Sequence, residues 1–210
     1  MPTRASITAI AFAWGGIFTE GTFDSSAVSN LAKLTGVSEE RIAETYYPLM
    51  EHFEVGAFDF PEFHRRFTEG TSLALGEGTF RETFLGSVRE RAAMFDVLNA
   101  IPQDYTVGML SNNVPVLCDT VRDDPRMSRF EHFVFSNEIG VRKPDAEAFA
   151  KLTEALEHPP EQTVFIDDNE DNIAACNNLG YQGILLDSFG NFVARFRELL
   201  PDISLPDSVK

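Results

Sequence analysis

Five short apolar runs recur along the 210-residue chain, and this repetition limits the folds open to it more than any other feature. They lie at residues 7–13, 105–110, 132–135, 163–166 and 183–186, with segments of helical period between them. Runs that are apolar throughout are typical of strands buried on both faces of a parallel sheet. Because strands that alternate with helices form right-handed βα units, the sequence predicts an α/β fold with a Rossmann-like, parallel, five-stranded core.

The segment between the first two apolar runs is far longer than a crossover requires. It contains no convincing strand, and its helical period predicts helices at residues 26–34, 38–52, 60–69 and 79–101. We therefore predict a helical insertion after the first strand. The predicted domains are an α/β core of residues 1–18 and 102–210 and an all-helical cap of residues 19–101.

Two expectations concern packing. Several phenylalanines fall in the insertion, at Phe53, Phe58, Phe60, Phe63 and Phe67. Aromatic side chains at helical spacing usually face a core, so core packing is favoured over a pocket lining. The tail at residues 201–210 has two prolines and few large apolar residues, which predicts a frayed end.

Acidic side chains outnumber basic ones, with 33 Asp and Glu against 17 Lys and Arg and a formal net charge of −16. Such a charge opposes binding to nucleic acid backbones and to anionic lipid. Cys118 and Cys176 have neither metal-ligand spacing nor the density of a disulfide scaffold. The first apolar run is too short for a signal peptide or a membrane span. These features predict a cytoplasmic protein that binds neither nucleic acid nor a membrane.

Acidic residues follow the fourth predicted strand, at the sheet edge where ligands of such folds bind. Asp167 and Asp168 come directly after the strand, and Asn172 follows in the next segment. Hard oxygen ligands at this density suit Mg²⁺, which takes one or two carboxylates and keeps waters for a phosphate. An acidic helix cap without a metal is the alternative interpretation.

Two further signals lie at neighbouring strand ends. Ser111, Asn112 and Asn113 close the second strand, where a hydroxyl, an amide and backbone N–H groups suit an anion. Lys143, followed by Pro144, is a cation able to offset charge on a transferring group. Taken singly, these residues also fit an Asn-rich turn and a surface helix start. Their joint occurrence with Asp167 favours one shared site.

With these motifs in this order, the chain resembles the haloacid dehalogenase-like hydrolase superfamily over nearly its whole length. The segment 111–113 is similar to its second motif, Lys143 to its third, the segment 167–172 to its fourth, and the helical insertion to its cap domain. The first motif resembles a capped phosphatase branch that reads Asp-x-Gly-Gly. Here Ala13 stands at the nucleophile position and Gly15 at the general acid and base position.

The resemblance implies a Mg²⁺-dependent phosphatase that works through an aspartyl-phosphate. Asp168 would be the direct metal ligand, and the Gly15 backbone carbonyl would add a second ligand. Asp167 and Asn172 would support the metal or its waters. Lys143 and Asp168 would serve catalysis beside positions 13 and 15.

The same resemblance implies a small phosphorylated substrate. The residues that would bind it are Trp14, Gly16, Ser111, Asn112, Asn113 and Lys143. Trp14 would point towards the cap and shape the pocket, with core filling beneath the cap as the alternative. The resemblance leaves the substrate's identity and the oligomeric state open.

Ala13 departs from the family pattern, because a methyl group neither attacks phosphorus nor ligates Mg²⁺. We therefore predict that the chain is nearly inactive as it stands. It is either a natural, non-catalytic pseudoenzyme that binds a ligand or a hydrolase whose aspartate was replaced to disable turnover. Retention of Asp167, Asp168 and Lys143 favours the second explanation.

A 2-haloacid dehalogenase is the enzymatic alternative. Such an enzyme uses the same nucleophile without a metal, and Gly15 lacks the acid that a phosphatase uses. However, no Arg follows the first strand closely to hold a halide and a carboxylate. The Asp167 and Asp168 pair also favours a metal.

Overall fold

The framework of the molecule is a five-stranded, fully parallel β-sheet, seen in a computed structural model that describes residues 6–21 and 23–209. Its strands are β1 (Ala9–Phe12), β2 (Thr106–Ser111), β3 (His132–Phe135), β4 (Thr163–Asp167) and β5 (Gln182–Leu185). They are arranged in the order β3-β2-β1-β4-β5. The predicted α/β class with a Rossmann-like five-stranded sheet is confirmed.

Both faces of the sheet are buried, as the continuous apolar runs predict. In β1, Ile10 and Phe12 face one apolar cluster, and Ala9 and Ala11 face another. All four side chains are fully buried. The second cluster includes Phe149 and its neighbours on the helix after β3, while the first continues into the helices between β1 and β2.

Four helices after β1 pack on one another. They are α1 (Phe23–Thr35), α2 (Glu39–Phe53), α3 (Phe60–Thr71) and α4 (Glu77–Leu85), with α1 touching α2 and α4, and α3 touching α2 and α4. Ser38 begins α2 by accepting a hydrogen bond from the Arg41 N–H, and Asp59 begins α3 by accepting one from Glu62. We call α1 to α4 the cap.

The remaining helices lie around the sheet. They are α5 (Ala92–Ala100), α6 (Pro115–Asp123), α7 (Ser136–Ile139), α8 (Ala146–Leu156), α9 (Glu170–Asn178) and α10 (Phe189–Leu199). Three short 3₁₀ turns accompany them at Pro125–Met127, Pro160–Gln162 and Asp207–Val209. Among the described residues, no helix has both the length and the apolar composition that a membrane span requires.

The cap is filled by aromatic side chains, so the predicted core role of its phenylalanines holds. Phe53, Phe60, Phe63 and Phe67 are buried, and the rings of Phe53 and Phe63 stack with centroids 4.7 Å apart. Phe58 is partly buried, and the Arg66 guanidinium lies 4.7 Å from its ring centroid.

The predicted single helix at residues 79–101 is wrong, because the chain breaks between α4 and α5. Gly86 ends α4, and the following segment runs beside the connection that leaves β1. Glu20 N–H donates to Arg89 O at 2.7 Å, and Arg91 N–H donates to Phe18 O at 2.8 Å. Pairing of these two connections takes the backbone groups of residues 89–91 out of a helix, so two helices replace one.

The prediction of a frayed tail is also wrong for the residues that the structure describes. Ile203, Leu205 and Val209 are buried in the larger apolar cluster. The turn Asp207–Val209 contacts α5. Few apolar residues are present in this tail, but their burial is sufficient to hold it against the core.

Candidate active site

The central position of β1 gathers the sequence-predicted residues at one edge of the sheet. Because β1 lies between β2 and β4, the ends of these three parallel strands meet. A cavity of about 150 Å³ opens there under the cap. The predicted site residues that line it are Ala13, Trp14, Gly15, Ser111, Asn112, Asn113, Lys143, Asp167, Asp168 and Asn172. Gly16 lies behind this wall, against Asp168.

A buried ion pair stands at the centre of the site. Lys143 Nζ lies 2.6 Å from Asp167 Oδ2, and both side chains are almost completely buried. The Asn172 amide donates to the same Asp167 oxygen at 3.0 Å, and the Asn169 N–H donates to the other at 2.9 Å. Both oxygens of Asp167 are therefore engaged, so this carboxylate positions Lys143 and Asn172.

Asn112 holds Lys143 from the main-chain side. Its Oδ1 accepts a hydrogen bond from the Lys143 N–H at 2.8 Å, and its Nδ2 donates to Lys143 O at 3.0 Å. The Lys143 ammonium lies 5.1 Å from the centroid of the Phe165 ring, whose face attracts a cation. The Asn112 amide is thus committed to positioning Lys143, which leaves its main chain as the part available to an anion.

Asp168, unlike Asp167, is in no ion pair among the described residues. It is half-buried, and its pKa is raised to about 6 because burial disfavours the charged form and Asp167 adds like-charge repulsion. Its side chain lies where a Cβ on Gly16 would be, and Gly16 has a left-handed φ of +72°. A glycine is therefore required at position 16 both by the backbone conformation and by the place of Asp168.

Two hydrogen-bond donors face the cavity, one at the end of β2 and one in the loop that follows it. Ser111 is buried, and its hydroxyl makes a bond of 3.3 Å to Asn112 O. Asn113 accepts the Val114 N–H through Oδ1, while its buried Nδ2 has no hydrogen-bond partner among the described residues. An unpaired buried donor is costly, so the Asn113 amide is poised for an oxygen of a bound ligand.

The first motif, residues 13–16, brings backbone groups to the site but no acidic side chain. Ala13 follows β1 directly, and its N–H donates to Ile166 O at 2.9 Å. A Cβ built at Gly15 would meet no atom within 4 Å, so the site has room for a side chain there. Steric contacts therefore do not require a glycine at position 15.

The donor set fits Mg²⁺ only in part. Residues 6–21 and 23–209 contain no group of three His, Cys, Asp or Glu side chains suited to a metal. Asp168 is in no ion pair among the described residues, and its raised pKa reflects a site in which a cation would relieve unfavourable charge. Mg²⁺ needs one or two carboxylates when a phosphate and waters fill its other positions, so these residues fit the ion together with a phosphate.

Sequence reasoning missed the carboxylates that the cap adds to the cavity. Asp24 accepts a hydrogen bond from Tyr46 at 2.9 Å, and burial raises its pKa. Glu54 lies 3.0 Å from Arg142, and burial raises its pKa to about 7 despite that neighbour. No local motif marks either residue, because only the folding of the cap over the sheet brings them to the site.

Ser136 joins the cap to the sheet beside this cavity. Its hydroxyl donates to Glu54 O at 2.5 Å and accepts the Asn113 N–H at 3.0 Å. One buried side chain therefore contacts both the end of α2 and the loop after β2. This bridge fixes the position of the Glu54 main chain relative to the donors of the second motif.

Comparison with known proteins agrees with this architecture. A family model described as haloacid dehalogenase-like hydrolase matches residues 81–180. A haloacid dehalogenase-like hydrolase of Porphyromonas gingivalis superposes with a TM-score of 0.77 at 26% sequence identity, covering 93% of this chain and 98% of that one. The chain is therefore similar to haloacid dehalogenase-like hydrolases, in sequence over residues 81–180 and in fold over nearly its whole length.

Two other superfamily relatives are informative. Flavin mononucleotide hydrolase 1, a chloroplast protein of Arabidopsis thaliana, is 24% identical over 174 residues, which are 81% of this chain and 70% of that protein. A Bacteroides thetaiotaomicron enzyme has been solved as an aspartate-to-alanine variant with magnesium and inorganic phosphate. It superposes with a TM-score of 0.74 at 22% identity, covering 86% of this chain and 94% of that one.

Replacing Gly16 with alanine should destabilise the protein more than the same change at Gly140. Both glycines have left-handed φ angles, of +72° and +75°, so both variants bear the backbone cost of about 1–2 kcal/mol. At Gly140 a Cβ meets open space, whereas at Gly16 it displaces Asp168. Urea denaturation of both variants measures the difference. Equal losses would contradict the close approach of Asp168 to Gly16.

Replacing Glu54 with glutamine should flatten the pH dependence of stability between about pH 4.5 and 7. The pKa of Glu54 is raised from 4.5 to about 7, so in this range the folded protein binds a proton that the unfolded chain has released. Stability therefore falls as pH rises, by up to about 1.4 kcal/mol per pH unit for one group. The raised pKa of Asp168 acts in the same direction and persists in the variant.

Free energies of unfolding measured at several pH values test this expectation. Glu44→Gln is the matched control, since Glu44 lies on α2, the helix that ends just before Glu54, with its side chain 66% exposed. It should keep the slope of the parent protein. An unchanged slope in Glu54→Gln would show that Glu54 does not take up the proton.

Proposed function

We propose that this chain binds small phosphate monoesters and that an aspartate at position 13 would make it a Mg²⁺-dependent phosphatase. The observation that carries the proposal is the buried Lys143 and Asp167 pair, with Asp168 and Ala13 beside it in one cavity. A fixed ammonium next to free donors is suited to the oxygens of a phosphoryl group. The flavin mononucleotide hydrolase relative supports phosphate ester chemistry, because flavin mononucleotide is a phosphate monoester.

Mg²⁺ would be held by Asp168 and the Gly15 carbonyl, with Asp167 and Asn172 in support. When bound, the ion would offset negative charge on the phosphoryl oxygens. The complex of the Bacteroides relative with magnesium and inorganic phosphate supports this assignment. That relative binds phosphate and magnesium with one aspartate replaced by alanine, which supports phosphate binding by a chain with Ala13.

The remaining steps follow from the positions of this chain's own residues. Lys143, Ser111 and Asn113 would donate hydrogen bonds to the phosphoryl oxygens. A carboxylate at position 13 would attack phosphorus as the ester P–O bond breaks, and water would then cleave the acyl phosphate to release phosphate. Since Ala13 has no such carboxylate, the chain as it stands would bind the ester without hydrolysing it.

Ala13→Asp should create Mg²⁺-dependent release of phosphate from p-nitrophenyl phosphate. The substitution supplies the nucleophile and a second carboxylate for the metal. Ala13→Asn is the matched control, because it has nearly the same shape but is a poor nucleophile, and it should remain inactive. Absence of metal-dependent activity in Ala13→Asp, or metal-independent chloride release from 2-chloropropionate, would reject the phosphatase in favour of a binding protein or a dehalogenase.

Adding Gly15→Asp to Ala13→Asp should favour esters with poor leaving groups. With glycine at position 15, the departing alkoxide takes its proton from water, so p-nitrophenyl phosphate should be hydrolysed much faster than a simple alkyl phosphate. An acid at position 15 has room and would supply the proton, an effect typically worth about 10²–10⁴-fold. The ratio of kcat/KM for alkyl and p-nitrophenyl esters measures the change. A ratio that does not rise would argue against this position as the acid.

A further inference from the structure

A second cavity, of about 360 Å³, lies next to the site under the paired connections to the cap. Its walls are mainly apolar and come from the β1 connection, the end of the cap, α5 and α6. The apolar residues that line only this cavity are Phe18, Leu85, Val88, Phe95, Val121 and Met127. Its volume falls within the range typical of small-molecule sites.

This cavity shares two walls with the phosphate site. Trp14 and Leu117 line both cavities, and both side chains are buried. Trp14 directly follows Ala13 in the chain, so a group attached to a phosphate at Ala13 lies next to this partition. The second cavity therefore adjoins the phosphate site across these two side chains.

Three of the four polar side chains at the second cavity are already paired; Thr19 Oγ1 accepts the Gly16 N–H and donates to Gly21 O, and the fourth, Thr120, is exposed. Arg126 contacts Glu90 at 2.8 Å and Asp124 at 2.6 Å, and its guanidinium lies 4.3 Å from the centroid of the Phe95 ring. The two carboxylates of this cavity are therefore engaged with a cation. What remains for an occupant is mostly hydrocarbon surface.

We infer that the preferred ligand is a phosphate ester of an apolar alcohol, whose hydrocarbon part crosses Trp14 and Leu117 into the second cavity. This inference rests on the proposed phosphate-binding function and adds the class of the leaving group. A polar group in this cavity would lose its water partners and meet few hydrogen-bond partners on the mainly apolar walls, whereas each buried methylene favours binding.

The cap residues at the phosphate site also favour a leaving group that extends into the second cavity. Asp24 and Glu54 line the first cavity and are already bonded or paired with Tyr46 and Arg142. Both carboxylates therefore already have a partner, whereas the adjoining second cavity offers a leaving group mainly hydrocarbon surface.

Calorimetric titration of the present Ala13 chain with Mg²⁺ and n-alkyl phosphates of increasing length tests the inference. The Kd should fall about twofold to fourfold for each added methylene from ethyl to hexyl phosphate. An aminohexyl phosphate, with an ammonium at the far end of the chain, should lose most of that gain. Inorganic phosphate serves as the reference ligand that occupies only the first cavity.

Filling the second cavity with a larger side chain, from either of two sides, should remove the dependence of the Kd on the length of the alkyl phosphate. Val121→Phe fills it from α6 and Leu85→Trp fills it from the end of α4, and neither residue lines the phosphate site. The matched control is Val193→Phe, since Val193 is a buried valine beside a separate cavity on α10. The two filling variants should bind inorganic phosphate normally and hexyl phosphate about as weakly as ethyl phosphate.

The outcomes separate this inference from the proposed function. If inorganic phosphate and all esters fail to bind, the proposed function is wrong. If inorganic phosphate binds but the Kd does not change with chain length, or if aminohexyl phosphate binds as tightly as hexyl phosphate, the apolar assignment is overturned. The length series in the parent chain decides this even if a filling variant does not fold.

Discussion

The buried ion pair between Lys143 and Asp167 is the interaction on which the rest of the site depends. Taking two charges out of water is costly, and their attraction offsets that cost only when further hydrogen bonds complete the network. Asn172 and the Asn169 N–H complete it on Asp167, and Asn112 fixes the main chain of Lys143. Loss of one partner would leave an uncompensated buried charge, typically at a cost of about 3–5 kcal/mol. The pair therefore joins the end of β4 to the loop before α8.

The charges of Lys143 and Asp167 offset each other, so the carboxylate of Asp168 is the charge at the sheet edge that no cationic side chain among the described residues balances. Burial and the Asp167 charge raise its pKa to about 6. Ala13 adds no charge to the site. A carboxylate at position 13 would add a second unbalanced negative charge to the same cavity, and a divalent cation would then be needed to hold both groups ionised. The nucleophile and the metal are in this sense linked by electrostatics.

The sequence predicts the strands and their terminal polar residues because those features are local. Strands such as β1 and β4, buried on both faces, must be apolar throughout, and parallel strands bring Ser111 and Asp167 to the same edge. The break at Gly86 and the buried tail at Ile203 depend instead on contacts between distant segments. The helical period of the insertion can be recognised in the sequence. The pairing of residues 89–91 with the connection after β1 cannot, because it joins segments far apart in the chain.

The same limit applies to the site. The apolar run before the paired aspartates indicates that Asp167 and Asp168 lie at a strand end. It does not indicate that Asp167 forms an ion pair with Lys143. Glu54 and Asp24 carry no motif, because only the folding of the cap over the sheet brings them to the cavity. Side-chain assignments that require a partner from a different element therefore had to come from the structure.

A chain with a net charge of −16 accepts a phosphate dianion only if local groups outweigh the overall charge. Salt screens distant surface carboxylates beyond about 8–10 Å, so the nearest groups decide. Near the cavity, the Lys143 ammonium is fixed, and α6 begins beside Asn113 without a side-chain cap on its N-terminal N–H groups. The carboxylates that the cap adds are paired with Tyr46 or Arg142, and the Glu54 pKa of about 7 reduces the charge of that group near neutral pH. Local pairing thus makes an anion site possible within a strongly acidic protein.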